Sequence, residues 1–248
     1  MKGRPSDGLQ LPMSIKFFVR HHEGNPQVPD GWFPRYESTA DLPMVSVWPN
    51  GPGSNAVKVK VAGYDSTDTE SMTQAEIHGR RKAMSVLDYY QRVEKKGWHF
   101  DHCSPIIGIR EGRRIVGDYV LTESDVRAGR KFDDAVAAGT FYLDAHEPTT
   151  DKRIAQIAEK KDRKVPPYHI PLRSLRAKDC GNLWMAGRCM SADNMALASA
   201  RVATSSSMMG QAVGIAAAEA VSRGCTSRDI DPETVKKEVV KRNGNLDI

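Results

Sequence analysis

Residues 182–224 constrain the fold of this chain more than any other stretch, because small residues dominate an otherwise helical pattern. A short apolar run at 182–187 ends in glycine and predicts a buried strand. Residues 205–223 predict a helix that contains Gly210 and Gly214 and stops at Gly224. Each interior glycine costs a helix about 1 kcal/mol relative to alanine, so we expect this helix to approach a sheet or a ligand closely.

The first turn of this helix is a candidate site for negative charge. Free backbone N–H groups and the positive end of the helix dipole stabilise anionic ligand oxygens there. The alternative is an ordinary strand–helix unit that packs tightly and binds nothing.

The first seventy residues predict strands and loops. Alternating apolar and β-forming side chains predict strands at 12–20, 44–49 and 56–61. The turn at 50–53 favours a hairpin or meander over a strand–helix–strand unit.

The clearest helix follows these strands. Thr73 and Glu76 have the spacing of a capping box, which predicts a helix at about 74–96. Its predicted apolar face consists of Ile77, Met84, Leu87 and Tyr90.

Further elements are predicted along the rest of the chain. Strands are expected at 106–110 and 114–121, and Thr122 is expected to cap a short helix that ends at Gly129. Residues 151–163 predict an exposed amphipathic helix, whereas prolines make 168–172 extended. Residues 231–233 begin a terminal helix.

Composition narrows the class of protein. No run approaches the ~20 apolar residues of a membrane-spanning helix, so no membrane partner is expected. The formal net charge of +5 suits an anionic partner such as a phosphorylated cofactor. The basic residues are scattered along the chain, which argues against a nucleic-acid partner. The four cysteines lack C-x-x-C spacing, which argues against a metal or iron–sulfur site. With no signal-peptide pattern at the start, a cytoplasmic location is expected.

Several ordered blocks of the sequence resemble the C-terminal part of a family of FAD-dependent oxidoreductases. Residues 182–192, 200–202 and 209–217 are similar to that family's NL-x-x-AGR-x-x-SA, R-V and GQA-x-G-x-AA text. Residues 107–119 resemble GVRE-x-RRI-x-G-x-Y, and two further blocks match at 121–126 and 170–175. The first seventy residues resemble the family's substrate domain more loosely.

This resemblance implies an α/β fold, with FAD as the cofactor. It implies a substrate-domain-like region of mixed strands and helices at 1–175, and the C-terminal segment of a Rossmann-like FAD-binding domain at 176–248. The residues that the resemblance places at the cofactor are Gly187, Arg188, Ser191, Arg201, Ser205, Met209, Gly210 and Gln211.

Candidate acids, bases and substrate ligands are fewer. His146 lies in a block that resembles the family's D-x-H-x-P, and would be either a catalytic base or a surface or second-layer histidine. Arg110 and Arg114 would either bind an anionic or hydroxyl-rich substrate or form structural ion pairs.

The family's N-terminal strand–GxGxxG–helix is absent from this sequence. We therefore expect a component or fragment of an FAD-dependent oxidoreductase that passes hydride from a small organic, sugar- or polyol-like substrate to flavin. A partner chain would carry the GxGxxG half. The alternative is a non-catalytic fragment or interaction subunit that keeps the fold without binding FAD.

Overall fold

The computed structural model describes residues 10–24, 26–31 and 33–248. The chain divides into two compact units. Of the described residues, we call 10–110 with His146–Ile154 the sheet unit, and Glu111–Ala145 with Ala155–Ile248 the helical unit. This division does not coincide with a boundary at residue 175, and the assignment of substrate and FAD-binding domains stays a prediction.

The sheet unit is built on four antiparallel strands in the order β2-β3-β1-β4. Their bounds are β1 Met13–His21, β2 Val45–Pro49, β3 Ser54–Val61 and β4 Trp98–Cys103. Every second residue of β1 from Met13 to Val19 is buried, which is the alternation that predicted it. The three early strands confirm the prediction from the sequence. β4 was missed because five of its six side chains are only partly buried or exposed, so no apolar pattern marks it.

Helix α1, Thr69–Arg92, begins earlier and ends earlier than the sequence predicts. The N-cap is Asp68, whose side chain accepts a hydrogen bond from the Ser71 N–H, and not Thr73. The predicted apolar face is confirmed at Leu87, which is fully buried, and at Met84 and Tyr90, which pack partly buried against the same core. It fails at Ile77, whose side chain is 41% exposed. Small residues, Ala75, Gly79 and Ala83, form the first part of the buried face, and larger residues such as Val86 and Leu87 continue it. A Cβ at Gly79 would lie 3.4 Å from the Val61 side chain, within ordinary contact distance, so this part of α1 packs directly on the sheet.

The described part of the helical unit contains a short antiparallel sheet and four α-helices. Its elements are α2 Glu123–Arg127, β5 Ala135–Gly139, β6 Tyr168–Pro171, α3 Asn194–Ala200, α4 Ala203–Arg223 and α5 Pro232–Lys241. The Thr122 cap of α2 is confirmed, with Asp125 completing a capping box. Gly224 ends α4 with φ of +61°, as the sequence predicts. Asp231 caps α5, which starts at Pro232.

Three predicted strands and one predicted helix are wrong. At 106–121 and 182–187 the structure has isolated bridges, such as Ser14–Gly108 and Arg176–Trp184, in place of strands. Their backbone groups bond singly to separate neighbours, so no continuous ladder forms. Residues 151–163 form turns with one 3-10 turn at Lys161–Arg163. Tertiary contacts hold that backbone, among them the hydrogen bond from Met44 N to Asp151 O.

The combination of helices with antiparallel sheets confirms a mixed α/β fold. Its Rossmann-like character stays a prediction. Among the described residues, the helices are all too short or too polar to cross a lipid bilayer.

Candidate cofactor site

The first backbone N–H groups of α4 are not capped by the side chain of the N-cap residue. Val202 occupies the N-cap position and makes no side-chain cap, and the next two residues, Ala203 and Thr204, are exposed. A 21-residue helix therefore presents its first N–H groups without capping by the N-cap side chain. The helix dipole adds partial positive charge at the same place, which favours an anionic ligand.

Gly187 lies against this first turn. It is buried, has φ of +70° and opens a 3-10 turn, Gly187–Cys189. A Cβ built there would lie 3.4 Å from Ser206 Oγ and 3.6 Å from Ser206 Cβ. A residue with a side chain rarely adopts this φ, so glycine both makes the turn and brings the backbone beside the helix start.

Two of the predicted cofactor residues hold α4 in place. The Ser205 hydroxyl donates to the Ala138 carbonyl of β5 at 3.1 Å, and both residues are buried. Met209 is fully buried in the core of the helical unit. These contacts give both side chains a structural role, and their contact with a cofactor stays a prediction.

Gly210 and Gly214 lie on the opposite, exposed side of α4. Among the described residues, no atom lies within 4 Å of a Cβ built at either glycine. The close approach expected from the sequence is therefore not made by the described part of this chain. Gln211 is half-buried and lines an open groove of about 540 Å³ together with Ser207, Met208, Asn243, Gly244 and Asn245.

Ser191 and Arg188 differ in their exposure. Ser191 is buried, and its backbone is tied to Ser174 O and Leu121 N at 3.0 Å each. Arg188, in the 3-10 turn after Gly187, is exposed. Ser191 thus fixes the loop that carries Gly187, whereas Arg188 extends from it.

Arg201 is a largely buried cation just before α4. Its Nη2 group donates to the carbonyl and to the carboxylate of Asp144, at 3.1 Å in both cases. Burial lowers the pKa of Arg201, and the negative charge of Asp144 opposes that shift. The buried Nε group has no hydrogen-bond acceptor among the described residues. Arg201 therefore holds a positive charge just before α4 with one donor still unsatisfied by the described chain.

The two predicted substrate arginines make structural contacts in different units. In the helical unit, Arg114 is buried 3.5 Å from the Glu111 carboxylate and donates to the Ala192 carbonyl at 3.2 Å. In the sheet unit, Arg110 donates to the carbonyls of Pro12 and Met13. The structural ion pair expected as one alternative for Arg114 is therefore present.

His146 is half-buried in the sheet unit, at the start of the His146–Ile154 segment. The buried Lys60 ammonium group holds this segment by donating to Glu147 O at 2.8 Å and Lys152 O at 3.1 Å. Burial lowers the pKa of Lys60 to about 8, since the interior penalises the charged form.

Sequence reasoning missed Asp193 and helix α3. The Asp193 carboxylate accepts from Ala196 N to cap α3 and from Glu123 N of α2, at 2.7 Å each. The signal was an aspartate directly before a run of helix-forming residues.

Comparison with known families adds the decisive observation. A model of the family "FAD dependent oxidoreductase" matches residues 18–239. This chain belongs to that family. FAD is therefore the cofactor of this oxidoreductase family member, and its function is linked to flavin redox chemistry. No curated protein and no solved structure gave a significant match.

The residues around α4 fit one side of an FAD site. The uncapped helix start and the Gly187 backbone suit a ligand that carries negative charge. The nearest match in this oxidoreductase chain to GxGxxG is Gly51-x-Gly53-x-x-Ala56, which lies in the turn between antiparallel β2 and β3. A phosphate loop opens a helix after a strand, so that turn does not fit the role.

Proposed function

We propose that this chain is a component of a flavin-dependent oxidoreductase and forms the closing side of its FAD site. The observation that carries the proposal is the open start of α4 with Gly187 beside it, in a chain whose family uses FAD. Arg201, buried immediately before α4, supplies further positive charge for the anionic cofactor.

A second polypeptide would complete the site with a strand–GxGxxG–helix half. Support comes from the exposed side of α4, where no described atom lies within 4 Å of a Cβ built at Gly210 or Gly214. Two interior glycines weaken a helix by about 1 kcal/mol each, and the described chain gains no contact in return. A neighbour that packs closely on this side would explain both glycines.

The proposed substrate is a small organic molecule with a hydroxyl group, such as a sugar or polyol. Bound FAD supplies the hydride acceptor for its oxidation. His146 is proposed as the base that takes the hydroxyl proton while the carbon gives up hydride, so that a carbonyl product forms. Its support is the D-x-H-x-P block and partial burial.

A substrate-binding role for Arg110 and Arg114 is kept in the proposal with less support. Both guanidinium groups already make structural contacts, to Pro12 O in one case and to Glu111 in the other. A cytoplasmic location also belongs to the proposal, because the four cysteines are free thiols, as suits a reducing compartment.

The test is a titration of FAD into the purified chain, followed by flavin fluorescence and absorbance. It is repeated with a co-expressed polypeptide that carries the strand–GxGxxG–helix half. We expect tight binding only in the combination, and bleaching of the flavin when a polyol substrate is added without oxygen. If the combined chains never bind FAD, the chain is a non-catalytic fragment or interaction subunit.

A further inference from the structure

A basic pocket lined by one aromatic ring lies in the helical unit, among residues that the proposed FAD site does not use. Its volume is about 260 Å³, and it is lined by Tyr142, Lys160, Arg163 and Lys164. A pocket of this size holds a small ligand, since whole drug-sized ligands occupy about 300–1,000 Å³.

The aromatic side of the pocket is held in place on both sides of Tyr142. The Ser199 hydroxyl donates to Phe141 O, and Leu143 N donates to Arg163 O at 2.9 Å. The ring of Tyr142 packs on that of Phe141, with centroids 4.3 Å apart, and the residue is still 43% exposed. A fixed, accessible ring offers a surface on which a second ring can stack.

The cationic side combines one hydrogen-bonded arginine and two exposed lysines. Arg163 donates from Nε to Ile157 O and from Nη2 to Ala158 O, both at 2.8 Å, which holds its planar head in one orientation. Lys160 and Lys164 are exposed, and neither forms an ion pair with any residue that the structure describes. The pocket thus presents positive charge that described carboxylates do not neutralise.

The nearby acidic groups do not pair with the lysines of the pocket, and Asp144 is paired with Arg201. Glu159 and Asp162 interrupt the basic run but do not line the pocket. Burial, and then the charge of Asp144, raise the pKa of Tyr142 above its usual range, so the phenol stays neutral near pH 7. Three cations therefore surround a neutral ring, a combination that suits a flat ring bearing a phosphate.

We propose that this pocket binds a small aromatic phosphate, with its ring on Tyr142 and its phosphate between Lys160, Arg163 and Lys164. Arg163 gives the site its fixed geometry, and the lysines add attraction that salt will weaken. Binding here needs no flavin, so it stands or falls separately from the proposed function.

The experiment is calorimetric titration of the full chain with phenyl phosphate at low salt. Inorganic phosphate and phenol, each lacking one half of the ligand, serve as comparisons. We expect one site for phenyl phosphate and binding about tenfold weaker for either half, since stacking and charge each contribute. The double variant Lys160→Glu, Lys164→Glu is expected to weaken phenyl phosphate about tenfold.

The matched control is Lys161→Glu, which makes the same charge change in the same run at a residue that does not line the pocket. It is expected to alter affinity by less than about twofold, because exposed charges outside contact range are screened. An equal loss of phenyl phosphate affinity in the control and in the double variant would overturn the proposal. So would an affinity for inorganic phosphate equal to that for phenyl phosphate. Displacement of phenyl phosphate by FAD would assign the pocket to the flavin and overturn a separate site.

Discussion

Arg201 binds Asp144 through a single nitrogen, whose two hydrogen bonds reach the backbone carbonyl and the carboxylate at 3.1 Å each. The two residues are 57 positions apart along the chain. The arginine side chain is 11% exposed and the aspartate 23%, so the pair is largely removed from water. It joins the loop after β5 to the end of α3.

Arg201→Met is expected to destabilise the chain by about 3 kcal/mol, because it leaves a mostly buried carboxylate without its partner. Asp144→Asn should also destabilise, and the double variant should lose less than the sum of the two. The measurement is a double-mutant cycle from urea unfolding, with a coupling of about 1 kcal/mol or more. Additive losses would show that the pair contributes no mutual stabilisation.

Gly210→Ala and Gly214→Ala are each expected to stabilise the isolated chain by about 0.5–1 kcal/mol, since alanine is the better helix former. The comparison is Gly139→Ala in β5, where a Cβ would collide with the ring of the fully buried Tyr168. That variant should lose stability. Thermal unfolding distinguishes the cases, and destabilisation by both α4 variants would show that the exposed side is already packed.

The lowered pKa of Lys60 predicts that the free energy of unfolding rises with pH in the alkaline range. Its folded pKa of about 8 lies below its ordinary value of 10.5, so the unfolded chain binds more protons between those values. Stability that depends on this group therefore increases as pH rises from about 8 toward 10.5. Over this window the unfolding free energy of the natural chain should rise relative to that of Lys60→Met. A constant or falling difference would contradict the lowered pKa.

Local patterns in the sequence predicted those elements whose pattern is complete in itself. The alternation in β1 and the cap that Thr122 gives α2 are of this kind. The predictions failed where the secondary structure of a segment depends on partners that are distant in the sequence. Residues 182–187 have a strand-like composition, but their backbone bonds to separate segments, as from Met185 N to Leu175 O.

In the candidate site, too, the sequence predicted features that are local and missed those that join distant residues. Gly187 and the start of α4 were located by the resemblance, because the motif is continuous along the chain. The partnership of Arg201 with Asp144 was not, since nothing local links residues so far apart. Ser205 and Met209 have buried structural contacts that a linear motif cannot distinguish from contacts to a cofactor.

The most direct test of the central claim compares Gly187→Val with Gly224→Val in FAD binding by the chain together with its GxGxxG-bearing partner. Both glycines have similar positive φ, +70° and +61°, but Gly187 faces the first turn of α4 and Gly224 follows its last. The account predicts that Gly187→Val weakens FAD binding at least about tenfold, a loss of about 1.4 kcal/mol, while Gly224→Val leaves it nearly unchanged. Equal FAD affinity in the two folded variants would contradict a cofactor site at the start of α4.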